Sequence, residues 1–339
     1  MERVENSILN KLDIYKYIKN NNSYNQLSLV TRIYDNKTDK ILFDGSKAVM
    51  FTGENFAKDI DVSQYGLNTI NEINYFIEPI HKEPVIVVCG GGYVAQAVVR
   101  LAKFLKINTI ALEDRHIFAN ELKKCGADKV IFNSFQSGLD EVCGDSNYYV
   151  ILTRGHKFDL ECLEKILEKK SSYIGMMSSE FRANNTRKLL KEKGYNQDII
   201  NSISTPIGLK IDAYTPEEIA VSILGEIILV KNKGIKGVTY TQEILSSIID
   251  GEPKVIATIV DRKGSTPCEM GTKMVFYKNG NSVGTIGGGC MEAEVKKQAL
   301  HMFEKGGVKL IRIDMTGSMN DPDAMICGGL NDIMLEYIE

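Results

Sequence analysis

The stretch Gly284-Thr-Ile-Gly287-Gly288-Gly289-Cys290-Met-Glu292-Ala-Glu294 combines residue types that can do chemistry. Three consecutive glycines strip side chains from a loop ahead of a predicted helix. Glycine is costly to order and is used where backbone takes φ > 0 or lies close to a ligand. Amides at a helix N-terminus form a natural anion site, so this loop could cradle a phosphate or another polar group. Cys290 adds a thiol whose thiolate form is favoured at a helix N-terminus and suits soft metal–sulfur chemistry. A second cluster, Cys327-Gly328-Gly329, falls in a predicted loop of the same C-terminal region, so Cys290 and Cys327 could bracket one ligand. The bland alternative is that both cysteines are small buried hydrophobes beside glycine turns. Glu292 and Glu294 are placed to complement the helix N-terminus.

A third constellation sits in the middle of the chain. The apolar run 85–89 reads as a buried parallel strand, enters Gly90-Gly91-Gly92-Tyr-Val-Ala95, and continues as an amphipathic helix to about residue 105. A second strand, 109–112, ends at Glu113 and Asp114. In this setting Gly90, Gly92 and Ala95 let a dinucleotide approach, and Glu113 stands where a carboxylate meets a ribose hydroxyl. Strands follow at 129–132, 148–152 and 172–177, which makes a Rossmann-type doubly wound parallel sheet. Arg154 and His156, just beyond the strand at 148–152, would line the crevice at the carboxyl ends of the strands. Alternatively Arg154 caps the sheet edge and His156 is a solvated loop residue. Thr215-Pro216-Glu217-Glu218 opens a helix to about residue 230 with a capping box, and residues 231–234 read as a linker.

Beyond the linker the pattern turns antiparallel. A short helix at 241–249 precedes strands 254–260 and 273–277, an Asn279-Gly280 hairpin turn, and a strand at 282–286. The triple glycine, a helix to about residue 304, a strand at 308–313 and a final strand at 333–338 complete a smaller α+β domain.

Composition excludes several classes. The chain has 339 residues, 43% hydrophobic and 25% charged, which is enough for a real core, and its net charge of −3 gives no reason to expect nucleic acid. No apolar run reaches membrane-spanning length and no signal peptide is evident, so a cytoplasmic location is expected. Seven scattered cysteines without a CxxC pair suggest neither a disulfide framework nor a zinc site. Cys89, Cys125, Cys143 and Cys162 read as packing residues on strands or helices.

Residues 80–339 resemble the XdhC/CoxI family of molybdenum-hydroxylase maturation factors. The resemblance rests on Gly264-Ser-Thr-Pro, Gly271-Thr-Lys-Met, Gly284-Thr-Ile-Gly-Gly-Gly-Cys-Met-Glu and Ile326-Cys-Gly-Gly, together with Cys89-Gly-Gly-Gly-Tyr-Val-Ala, Thr153-Arg-Gly-His and Thr215-Pro-Glu-Glu. It implies a factor that binds the molybdenum cofactor (molybdopterin), protects it during sulfuration and delivers it to an apo molybdenum hydroxylase such as xanthine dehydrogenase. That is a maturation chaperone more than a catalyst. A cysteine desulfurase-type sulfurase is the implied second partner and a homodimer the expected state. Gly287, Gly288, Gly289, Cys290, Cys327 and Gly328 would then hold the cofactor, Glu292 could bond its pterin ring, and Cys290 is the candidate metal contact. The Rossmann domain would bind NAD(P) or another nucleotide, or serve as scaffold. The competing reading is an NAD(P)-dependent oxidoreductase acting on a small molecule in the interdomain cleft, with His156 as acid or base.

Three departures from the family stand out. The glycine-cysteine domain here follows the Rossmann domain instead of preceding it. The family's basic stretch after the fifth strand is replaced by Ser178-Ser-Glu-Phe-Arg182, and Cys268 follows Gly264-Ser-Thr-Pro where arginine is common. The expected organisation is a decayed XdhC/CoxI-like repeat at 1–80, a Rossmann-type domain at 81–232 and an XdhC/CoxI-like domain at 233–339. The repeat is read from a helix and strand within 12–30, from Thr31-Arg32 echoing Asp261-Arg262, and from Phe76-Ile-Glu78-Pro-Ile echoing Leu335-Glu336-Tyr-Ile. The two copies could pair within the chain or across a dimer.

Overall fold

The structure, a computed structural model, describes residues 9–20, 27–53, 60–80, 84–144, 146–233, 240–264, 266, 268–316 and 326–339. The chain forms an α/β protein of two compact units. One is Glu83–Ile235, and the other joins Met1–Lys82 to Lys236–Glu339.

The discontinuous unit begins with α1 (Lys11–Asn20), β1 (Leu27–Tyr34), β2 (Lys37–Asp44), β3 (Lys47–Phe51), β4 (Gly66–Ile70) and β5 (Ile73–Ile80). These strands make one antiparallel sheet in the order β3-β2-β1-β5-β4. Two of its hairpins turn on pairs of residues with positive φ, Asp35 and Asn36 between β1 and β2 and Asn71 and Glu72 between β4 and β5. Two consecutive left-handed residues match the twist of paired strands, which is why such turns close two-residue hairpins.

The continuous unit contains β6 (Val85–Cys89), α2 (Tyr93–Phe104), β7 (Asn108–Glu113), α3 (His116–Lys124), β8 (Lys129–Phe132), α4 (Phe135–Asp140), β9 (Asn147–Ile151), α5 (Asp159–Leu167), β10 (Ser171–Met176), α6 (Glu180–Glu192), α7 (Gln197–Ser202), β11 (Ile203–Ser204) and α8 (Pro216–Asn232). Its sheet is parallel in the order β11-β10-β9-β6-β7-β8, the doubly wound arrangement. Central strand β6 has no polar residue because helices cover both of its faces. Ile86 and Val88 pack with α2 and α8 on one side, and Val87 and Cys89 with α4 and α5 on the other. At the start of α8, Thr215 accepts the Glu218 amide while Glu218 accepts the Thr215 amide, the reciprocal cap read from the sequence.

The chain then returns to the first unit through α9 (Gln242–Ile248), β12 (Lys254–Gly264), β13 (Lys273–Tyr277), β14 (Ser282–Gly284), α10 (Gly289–Lys305), β15 (Val308–Thr316) and β16 (Ile326–Ile338). The second antiparallel sheet runs β14-β13-β12-β16-β15, with α10 against β12 and β13. The β13–β14 hairpin does turn at Asn279-Gly280, but only Gly280 takes positive φ, so the loop is longer than the two-residue form. The Gly280 amide donates to the Tyr277 carbonyl and the Tyr277 amide to the Asn281 carbonyl.

Two sequence expectations are corrected. Cys327-Gly328-Gly329 lies within β16, not in a loop, because β16 continues its ladder from Gly329 opposite Gly264 to Ile326 opposite Thr316. Cys143 follows α4 in an exposed loop and is no packing residue, whereas Cys89, Cys125 and Cys162 are buried. No helix among the described residues is long and apolar enough to cross a membrane.

Candidate functional site

The glycine loop leads from β14 into α10. Gly287, Gly288 and Gly289 all have positive φ, at 125°, 74° and 64°, and a Cβ placed on Gly288 or Gly289 would meet no atom of the described residues within 4 Å. This conformation excludes other residues by backbone strain alone and leaves an open main-chain surface. Cys290 follows in the first turn of α10 and is exposed.

The anion cradle anticipated here is filled from within. Glu292 Oε1 accepts the Thr285 hydroxyl at 2.5 Å, the Ile286 amide at 3.0 Å and the Gly288 amide at 2.9 Å, while the Gly287 amide donates to Thr285 Oγ1 at 3.2 Å. The loop amides assigned to an external anion thus close on a carboxylate tethered to the same helix. Burial pushes the Glu292 carboxyl up, but the Thr285 hydroxyl and the Gly288, Ile286 and Gly287 amides outweigh it and hold the group below the usual carboxylate range. Glu294 takes no part and accepts from Gln298 Nε2 at 2.8 Å. The sequence reading, in which Glu292 faces the helix dipole or a ligand ring, missed this role, for which the short Thr285-to-Glu292 spacing is the only available signal.

Beneath the first turn of α10 lies Asn331 of β16, fully buried, its Nδ2 3.2 Å from Met291 Sδ and its Oδ1 without a hydrogen-bond partner among the described residues. A buried amide oxygen without a donor is costly and marks a place that a ligand or water can complete. A shallow notch on the same sheet is lined by Asp261, Arg262, Lys263, Arg312, Leu330 and Asp332. Arg312 grips Asp332 through two bonds of 2.7 Å, and Arg262 pairs with Glu269 at 2.8 Å. Lys263 lies opposite Leu330, next in the β12–β16 register to the Gly264–Gly329 pair. Ser265, Pro267 and the side chain of Cys327 lie outside the described residues, and so does the proposed bracketing by two thiols. Cys268 is half-buried, and burial pushes its thiol up.

In the Rossmann unit Gly90 enters the turn after β6, where a Cβ would sit 2.2 Å from the Leu152 carbonyl oxygen, so no side chain fits. Gly92 is the N-cap of α2, with no described residue within 4 Å of where its Cβ would be and no side-chain cap, and Ala95 is buried against the sheet. Glu113 ends β7 but is fully buried. Its oxygens accept Arg115 Nε at 2.7 Å, Arg115 Nη2 at 3.1 Å and the Arg115 amide at 3.1 Å. Asp114 is bound in a fork by Arg154, which lowers the Asp114 carboxyl. Arg154 does lie at the carboxyl end of β9, in the short 3-10 turn Arg154–His156, and the His156 side chain lies outside the described residues.

The ribose acceptor expected at Glu113 is therefore engaged by Arg115. If this unit takes a dinucleotide, Arg115→Ala should strengthen NAD+ binding by about tenfold, the worth of one charge-assisted hydrogen bond, in isothermal titration. Weaker binding would instead assign Arg115 to the ligand. Among the described residues no group of three or more His, Cys, Asp or Glu could hold a metal ion.

Residues 86–227 match the XdhC Rossmann domain, and residues 248–314 match the XdhC and CoxI family. The chain belongs to the XdhC and CoxI family. Among its relatives, a probable xanthine dehydrogenase subunit of Bacillus subtilis (strain 168) is 28% identical over 161 residues, 47% of this chain and 47% of that protein. The molybdenum cofactor insertion chaperone PaoD of Escherichia coli (strain K12) is 31% identical over 91 residues, 27% of this chain and 28% of that protein. The uncharacterized protein YqeB of the same organism is 29% identical over 167 residues, 49% of this chain and 30% of that protein. The chain thus spans less than half the length of each of these relatives.

Proposed function

We propose that this chain is an accessory factor that binds the molybdenum cofactor on its C-terminal α+β module, protects it during sulfuration and delivers it to an apo molybdenum hydroxylase of the xanthine dehydrogenase type. Membership of the XdhC and CoxI family supports this reading, as does the likeness to PaoD, a molybdenum cofactor insertion chaperone. The observation that carries it is the open turn at Gly288 and Gly289 beside an exposed Cys290.

The residues present fit such a group. Bound, the cofactor supplies a dithiolene-held metal, a flat hydrogen-bonding pterin and a terminal phosphate. Gly288 and Gly289 allow a ring to lie against main chain, and Asn331 Oδ1, without a partner among the described residues, offers an acceptor beneath the same helix turn. Cys290 brings a thiol to the solvent-facing edge of that turn. Arg262, Lys263 and Arg312 suit a phosphate better than the glycine loop does, since Glu292 already fills the loop. In this proposal the Rossmann unit is a docking surface or a nucleotide switch. A cysteine desulfurase-type sulfurase, the apo-hydroxylase and a second copy of the chain are its partners in the cytoplasm.

Anaerobic incubation with purified molybdenum cofactor, gel filtration and elemental analysis should recover molybdenum with the protein. Failure to retain it, together with turnover of NAD(P)H, would favour the oxidoreductase reading. Cys290→Ala should leave circular dichroism and melting unchanged and lower retained molybdenum by about tenfold, as expected for one lost contact of about 1.4 kcal/mol. Unchanged retention would remove Cys290 from the site.

A further inference from the structure

The two halves of the discontinuous unit are laid out alike. Each places its own first strand at the centre and its second, third, fifth and fourth strands in the same positions around it, and each is preceded by a helix. The registers agree residue by residue. Thr31 lies opposite Lys40 as Thr258 lies opposite Lys273, and Leu29 lies opposite Glu78 as Ile256 lies opposite Glu336. Lys40 and Lys273 are therefore equivalent, as are Glu78 and Glu336. This register replaces the match of Thr31-Arg32 with Asp261-Arg262, which lie past the irregularity in β12.

The equivalent residues exchange partners between the halves. Lys40 Nζ meets Glu336 Oε2 at 2.8 Å, and Lys273 meets Glu78. All four side chains are buried, each lysine lies beside a tyrosine of its own half, and the two tyrosine rings, Tyr15 and Tyr240, stand 6.1 Å apart. Ile33 and Phe76 form one cluster with Val260 and Met334, and Phe76 lies opposite Thr31 as Met334 lies opposite Thr258. A larger core joins Ile14, Ile18, Leu29 and Leu42 to Ile244, Ile248, Ile256 and Val275. When residue i of one module meets j of the other while j of the first meets i of the second, the contact is isologous, the pattern of a two-fold dimer.

We infer that the C-terminal module carries a self-complementary docking face, built on Lys273, Glu336, Val260 and Met334, and that the N-terminal module is a second copy fused into the chain to occupy it. The partner this face fits is another copy of the C-terminal module, with Lys273 of each against Glu336 of the other. The fused copy brings no cysteine and no triple glycine, so the internal pair has one glycine-cysteine loop where a true dimer has two. Any homodimer of the intact chain uses a different surface.

The test is made in the whole chain. Lys40→Glu with Glu78→Lys sets like charges against Glu336 and Lys273, displaces the N-terminal module and frees the face. Sedimentation should then show a discrete species of about twice the wild-type mass. Adding Lys273→Glu and Glu336→Lys restores opposite charges inside the chain, where high effective concentration favours the internal pair, and the mass should return to the wild-type value. A double variant that keeps the wild-type mass overturns the inference. If the double variant precipitates, the quadruple variant decides: wild-type mass and melting support two exchangeable, equivalent pairs, and damage equal to the double variant's overturns them.

Discussion

Glu336→Ala is expected to destabilise the discontinuous unit by about 3–5 kcal/mol, the cost of stranding one member of a buried ion pair. Lys40 would keep its position with 1% of its side chain exposed and lose the carboxylate that accepts from it at 2.8 Å. Lys11 and Thr38, which also bond Glu336, would lose the same acceptor. Urea unfolding followed by circular dichroism checks this. Acid unfolding adds a signed test. Burial pushes the Glu336 carboxyl up, but Lys40, Lys11 and Thr38 overcome it and bring the group from 4.5 down to about 2. A depressed carboxylate contributes stability that is fully present above its unfolded value and is lost as pH falls through the folded one. The unit should therefore weaken between about pH 4.5 and 2, and that limb should be missing in Glu336→Gln. A Glu336→Ala variant as stable as wild type would remove the buried pair as a stabilising element.

Glu292→Ala should lower retained molybdenum more than Cys290→Ala does, by about thirtyfold. One carboxylate oxygen holds the Thr285 hydroxyl and the Ile286 and Gly288 amides, and Thr285 in turn accepts the Gly287 amide, so these bonds hold Gly287 and Gly288 in positive-φ conformations a free chain seldom keeps together. Losing them leaves the loop to be ordered by the ligand, at a cost of roughly 2 kcal/mol for charge-assisted bonds. Glu292→Gln, which keeps an acceptor oxygen, should recover part of the loss. The measurement is molybdenum retained after gel filtration, with amide hydrogen exchange at residues 286–288 as a ligand-free readout. Faster exchange without loss of retention would make Glu292 structural only. Equal exchange in wild type and Glu292→Ala would remove it as the loop's latch.

The Rossmann unit was legible in the sequence because its signals are local. A continuous apolar run marks β6, and the residues that cap α8 lie within four positions of one another. The N-terminal sheet was legible only in part, since Asp35-Asn36 and Asn71-Glu72 close its hairpins without the glycine that announces such turns. Burial of Lys40 and Lys273 becomes tolerable only through acids far along the chain, a pairing that no local spacing signals. At the candidate site the open glycine turn followed from residue type, whereas the exposure of Cys290 did not, because a free cysteine is most often buried. The occupation of the loop by Glu292 did not, because a glutamate early in a helix ordinarily reads as a partner of the helix dipole. Glu113 was placed correctly at the end of β7, but its capture by an arginine two residues on depends on a side-chain direction that spacing leaves open.

The interruption of one unit by the other also sets a timetable for synthesis. Glu78 is separated from Lys273 by 195 residues and Thr38 from Glu336 by 298, so the N-terminal sheet leaves the ribosome long before its partners exist. At about 5–20 residues per second the first of these gaps lasts roughly 10–40 s. Within that interval the Rossmann unit acquires all its own strands and can fold, while Leu29, Leu42 and Phe76 have no opposing face. Strand β16, which follows the other described strands of the second sheet in the chain, supplies Glu336, Met334 and the centre-adjacent ladder of that sheet. A nascent chain stalled before residue 326 would hold a finished Rossmann unit and an antiparallel unit still lacking its completing strand.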